Sequence, residues 1–85
     1  MASKTVTVGS SVGLHARPAS IIAEAAGEYD DEITLSVDGE EGVDAASSLM
    51  IMTLGAEKGA QVTVESDNAE AVEKIAALVE SDLDA

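Results

Sequence analysis

The spacing of apolar residues changes period several times along the chain. Thr5-Val6-Thr7-Val8 alternates branched polar and apolar side chains, the two-residue period of a half-buried strand. Gly9 to Leu14 carries Gly and Ser and reads as a loop. From about Arg17 to Tyr29 the period lengthens. Ile22, Ala25, Ala26 and Tyr29 recur at helical spacing, with Glu24 and Glu28 on the wet side. Gly27 weakens the last turn, and Asp30-Asp31 marks a break. Ile33-Thr34-Leu35-Ser36-Val37 alternates again as a second strand. Asp38-Gly39 is the signature of a tight two-residue hairpin, returning through Glu40 to about Val43. Ala60 to Glu65 forms a further strand with Val62 and Val64 on one face. Asp67-Asn68-Ala69-Glu70 then offers a capping box, an N-cap oxygen with a reciprocal Glu three residues on. Behind it Val72, Ile75, Ala76, Val79 and Leu83 make one apolar stripe, and Glu73, Lys74 and Glu80 fall off it.

One segment fits neither period. Ser47 and Gly55 bracket Ser48-Leu49-Met50-Ile51-Met52-Thr53-Leu54 as the N-cap and C′ residues of a short helix. Leu49, Met50, Ile51 and Met52 are consecutive, so they cannot all face one core. Either some point outward as an adaptable docking surface, or the helix is buried on every side. Periodicity leaves both readings open.

The predicted order is strand, helix, strand, strand, helix, strand, helix. An α+β fold of two layers buries every stripe named above. It is an open-faced sandwich in which a four-stranded antiparallel sheet has one face covered by three helices, in the order βαββαβα. The 85 residues suffice for one domain spanning 1–85, with no internal repeat or linker. One tyrosine and no phenylalanine or tryptophan leave an aliphatic core of Val, Ile, Leu, Met and Ala.

Charge narrows the function classes. Seventeen acidic residues stand against four basic ones, a net of -13, which excludes a nucleic-acid partner because phosphate backbones need a basic face. The apolar share of 46% and its periodic arrangement argue against disorder. At ~1 M salt the Debye length shrinks to ~3 Å and self-repulsion is largely screened, so the surface suggests a salt-rich cytoplasm, as in halophiles. Cysteine is absent, which rules out disulfides and thiolate metal sites. No apolar run approaches ~18 residues, so direct membrane insertion is not expected and the chain reads as cytoplasmic. Asp30-Asp31-Glu32 and Asp38-Gly39-Glu40-Glu41 lack the ligand spacing of a calcium loop and read as solvated turns. Lys58-Gly59 reads as a turn before the last strand.

The candidate chemistry lies in four positions. The only histidine, arginine and proline of the chain form His15-Ala16-Arg17-Pro18, after Gly13-Leu14 and before Ala19. An imidazole is the nucleophile, and a guanidinium is the usual anion clamp. Pro18 and the alanines behind it mark a helix start, where backbone N–H groups attract anions. Together they point to a phosphoryl site on His15. In so acidic a chain, Arg17 alone would read as a salt-bridging surface residue; its place beside His15 favours phosphate contact.

Gly13-Leu14-His15-Ala16-Arg17-Pro18-Ala19 resembles the active-site motif of the HPr family, the histidine-containing phosphocarriers of the phosphoenolpyruvate-dependent sugar phosphotransferase system. Ser47, Leu49, Met52, Leu54-Gly55 and Lys58-Gly59-Ala60 resemble that family's second signature, and the resemblance spans essentially the whole chain. It implies that His15 accepts a phosphoryl group through Nδ1 from enzyme I and passes it to an enzyme IIA component. Arg17 and the Ala16 and Arg17 backbone N–H groups would stabilise the bound group. The resemblance also implies that Ser48, Leu49 and Met52 dock partners and that no cofactor or metal is used. Ser47 matches a serine phosphorylated by a dedicated kinase in some branches, although the N-cap reading also accounts for it. Ser48 stands where many relatives are apolar, and Glu24 and Gly27 where many are basic, which favours apolar over charge-steered docking. A carrier meeting two partners through one face is most simply a monomer. The alternatives are a regulatory module of the same fold, binding through Met50-Ile51-Met52, or a carrier for a dihydroxyacetone kinase or nitrogen-regulatory branch.

Overall fold

Alternation along the strands sorts one apolar face from one polar face, and the helices cover the apolar one. The computed structural model describes residues 2–11, 13–37 and 40–81. Its elements are β1 (Ala2–Thr7), α1 (Ala16–Ala26), β2 (Ile33–Val37), β3 (Val43–Asp44), α2 (Ser48–Thr53), β4 (Gln61–Ser66) and α3 (Ala69–Glu80). The strands form one antiparallel sheet in the order β1-β4-β2-β3. This is the α+β sandwich expected from the pattern.

Register aligns the apolar rows. Val6 faces Val62, which faces Val37 on the other side, and Val64 faces Leu35. Val6, Val62, Val64, Ile33 and Leu35 are buried against Ala19, Ile22, Ala25 and Ala26 of α1, Val72, Ile75, Ala76 and Val79 of α3, and Ile51 of α2. The other sheet face is polar. There the Thr5 and Thr63 hydroxyls share a hydrogen bond of 2.9 Å, and Gln61 Nε2 donates to Thr7 Oγ1 (2.7 Å).

Several boundaries differ from the sequence expectation. β1 starts at Ala2 rather than Thr5, because Ala2, Ser3 and Lys4 find a full ladder on β4 from Ser66 to Val64. Val8 falls outside β1, although its N–H still donates to Ala60 O (2.9 Å). α1 begins one residue early, at Ala16, and ends at Ala26, short of Tyr29. Beyond it the Glu28 and Tyr29 N–H groups reach back only three residues, to Ala25 and Ala26 (3.2 Å each). Gly27 is the cap; its backbone entropy disfavours another helical turn.

The Asp38-Gly39 hairpin falls outside the described residues. The return strand is Val43–Asp44, not Glu40 to Val43, and Leu35 pairs with Val43. Acidic Glu40 and Glu41 and flexible Gly42 are poor strand formers, which keeps them off the ladder. The capping box at α3 is also corrected. Asn68, not Asp67, is the N-cap; its Oδ1 accepts from Ala71 N–H (3.2 Å) while its Nδ2 donates to Asp31 Oδ2 (3.0 Å). Asn68 prevails because its amide can accept from the helix and donate to Asp31 at once, which a carboxylate cannot. Leu83 lies outside the described residues.

Candidate functional site

α1 presents His15 at its N-terminus. His15 is the N-cap, with extended backbone (φ −83°, ψ −165°), and its carbonyl accepts the first helical bond from Ala19 N–H (2.9 Å). Its side chain makes no capping bond and is exposed. The imidazole is thus placed on a fixed backbone without being consumed by it. Ala16 and Arg17 follow as the first two helical residues, both exposed. Their N–H groups have no acceptor within the helix, as in any first turn. Pro18 lies in that turn at its third position rather than opening the helix, and its ring is buried. A missing N–H is harmless there too, because that donor would have no helical acceptor.

Arg17 keeps its guanidinium available. Among the described residues, the ion pair is Lys4 Nζ to Glu73 Oε1 (3.1 Å), and Arg17 enters none. In a chain of net charge -13, an unpaired arginine next to an exposed histidine is the arrangement that an incoming dianion would need.

The loop before His15 is stitched to the loop after α2. Leu14 is buried and its N–H donates to Ala56 O (2.8 Å). Gly13 (φ +76°) passes so close that a Cβ there would lie 2.5 Å from Ala56 O and 2.8 Å from Glu57 Cα. Glycine is required twice over, for the left-handed backbone and for the contact. The sequence offered Gly13 only as part of the motif; its contact partners lie far along the chain.

α2 packs beside α1. Ser47 is its N-cap, with Oγ accepting from Met50 N–H (3.3 Å), and Gly55 ends it with φ +64°. Ile51 is fully buried, while Leu49 is 68% exposed and Met50 and Met52 are also exposed. Ser48 is half-buried. The outward-pointing reading of this segment therefore holds, and Met50 joins Leu49 and Met52 on the apolar surface. A cleft of about 270 Å³ lies at the C-terminal end of α2, lined by Val37, Glu40, Glu41, Val43, Thr53 and Leu54. None of these belongs to the His15 turn. The His15 side chain is exposed at the surface. No described helix is long and apolar enough to cross a membrane.

A surface histidine at a helix start, an arginine beside it that is unpaired among the described residues and an adjacent helix with exposed apolar side chains fit a class: small α+β proteins that carry a phosphoryl group between partners. Comparison with known proteins makes the class specific. The family model described as "PTS HPr component phosphorylation site" matches residues 2–81. The chain is 41% identical to the phosphocarrier protein HPr of Streptomyces coelicolor over 99% of its own length and 94% of that protein's. It is 38% identical to the phosphocarrier protein NPr of Shewanella violacea, with 95% and 91% covered. The crystal structure of a phosphocarrier protein HPr from Bacillus anthracis superposes with a TM-score of 0.84 at 33% identity, covering 92% of this chain and 95% of that one. The chain belongs to the PTS HPr family, and it is a phosphocarrier of the phosphotransferase system.

Proposed function

We propose that the phosphoryl group is carried on His15 Nδ1, received from enzyme I and donated to an enzyme IIA component for sugar uptake. The neutral ring's lone pair forms the P–N bond as the donor's bond to phosphorus breaks. In the second transfer that P–N bond breaks, and the acceptor takes the group. Arg17 and the Ala16 and Arg17 N–H groups hold the phosphoryl oxygens, at a helix end that favours anions. Stabilisation by one guanidinium and two amides is moderate, which suits an intermediate that must also give the group away. Transfer of this kind depends on positioning and charge stabilisation. Ser48, Leu49, Met50 and Met52 form the surface on which both partners dock, and the carrier acts as a cytoplasmic monomer.

The observation that carries this reading is the exposed His15 imidazole beside an Arg17 that has no ion pair among the described residues. The test is labelling by phosphoenolpyruvate and enzyme I from the same cell, in high salt, for the parent and His15→Ala. Acid-labile, alkali-stable label on the parent and none on the variant is the expected result. No label on either, with enzyme I active on another carrier, would overturn it in favour of a regulatory module that binds through α2.

A further inference from the structure

The loop that delivers His15 is also tied down at a place that the phosphoryl site does not account for. Gly9 N–H donates to Val79 O (3.1 Å), and the Ser10 hydroxyl donates to Ser81 O (3.4 Å). Both acceptors belong to the last turn and C-cap of α3, where helix carbonyls lack partners of their own. Ser10 is fully buried; among the described residues the other buried polar side chain is Ser66. Ser66 Oγ accepts from Asn68 N–H, at the opposite end of the same helix. Buried hydroxyls persist where their hydrogen bonds are met, so each marks a fixed point. The fit at the C-terminal end of α3 is close, since a Cβ on Gly9 would lie 1.9 Å from Glu80 O. From Ser10 the connection continues toward the site: Gly13 N–H donates to Ser10 O (3.0 Å), Leu14 N–H to Ala56 O (2.8 Å), and His15 follows.

We propose that the C-terminal end of α3 sets the position of His15 for phosphoryl transfer, with Ser10 as the positioning residue. Gly9 is the residue whose missing side chain lets the two segments meet. The inference rests on the carrier reading above. Neither residue is placed on the reacting atoms; both act through the hydrogen bond from Gly13 N–H to Ser10 O. His15 has no side-chain capping bond, so its placement comes from the backbone on either side. α1 fixes the backbone after it, and the lock on α3 fixes the loop before it. An in-line transfer is sensitive to such placement.

Three variants test this: Ser10→Ala, Gly9→Ala and Ser66→Ala. Each is measured as the varied substrate of enzyme I, and each by amide hydrogen exchange. Ser10→Ala is expected to lower kcat by about tenfold, within the loss known for a misplacement of ~1 Å. KM stays unchanged, because the α2 surface is untouched. Gly9→Ala behaves in the same way. Ser66→Ala, a matched defect at the far end of α3, leaves both constants at their parent values. A kcat for Ser10→Ala equal to the parent's, or an equal fall in Ser66→Ala, overturns the proposal. Exchange reads the lock without any transfer: the Gly13 and Leu14 N–H groups should exchange faster in Ser10→Ala and not in Ser66→Ala. Unchanged protection in Ser10→Ala also overturns it. A parent that takes no label removes the carrier reading and the lock's purpose with it, while the exchange data still decide whether the contact holds the loop.

Discussion

Arg17 and Gly13 show how differently two neighbours of one histidine contribute. Arg17 would act by charge and by its fork of donors, and it enters no ion pair among the described residues. Arg17→Ala is expected to keep the fold and to slow phosphorylation of His15 by roughly 10- to 100-fold, the size of a lost hydrogen bond to a charged group. Stopped-flow transfer from enzyme I would show it, and an undiminished rate would remove Arg17 from the site. Gly13 acts by absence. A side chain there meets the Ala56 carbonyl and must also hold a left-handed backbone. Gly13→Ala should cost about 2 kcal/mol or more of stability, seen as a lower urea midpoint at constant m. The motif pointed to His15, Arg17 and Pro18, because rare residue types packed into four positions are legible without a structure. Gly9, Ser10 and Gly13 were not legible as supports, since what they touch is distant in sequence.

α2 is the element in which the sequence pattern left the most open. Its consecutive apolar residues fit no single face, and the structure divides them: Ile51 inward, Leu49, Met50 and Met52 outward. The division separates two experiments. Ile51→Ala removes fully buried methyl groups and should destabilise by ~2–5 kcal/mol, enough to unfold much of a domain this small. Leu49→Ala should leave the urea midpoint almost unmoved, within ~0.5 kcal/mol, yet raise KM for enzyme I. A Leu49→Ala carrier with unchanged KM would take this helix out of the docking surface. Ser47 belongs to the same element. Its Oγ already accepts from Met50 N–H, so Ser47→Ala should cost ~1 kcal/mol as a lost cap whether or not a kinase ever modifies it. A phosphate there would place strong negative charge beside the exposed apolar side chains of α2. In α3 the cap moved by one residue. Asn68→Ala should be the costly substitution, by ~1 kcal/mol, and Asp67→Ala nearly silent in thermal denaturation.

For the molecule as a whole, charge is set against a small aliphatic core. Among the described residues the net charge of -13 is set against one ion pair, Lys4–Glu73, which is exposed and contributes ~0–1 kcal/mol at most. Screening by salt must supply the rest. The thermal midpoint is therefore expected to climb steadily from low salt toward ~1 M, where the Debye length is ~3 Å. A midpoint indifferent to salt would separate the acidic surface from any adaptation to a salty cytoplasm.

By itself the sequence determined the layer architecture, the order of the elements, the buried face of the long helices and the strands, and the clustering of His15, Arg17 and Pro18. These follow from local rules, because side-chain period and rare residue types are written along the chain. The tertiary structure decided the rest. The reach of β1 to Ala2 depends on a ladder with β4, and the choice of Asn68 over Asp67 depends on Asp31. Which apolar residues of α2 face water, and what fixes the loop before His15, were likewise settled by its contacts. Each of these is a contest between groups far apart in the chain, decided by which hydrogen bonds and contacts the folded backbone brings within reach.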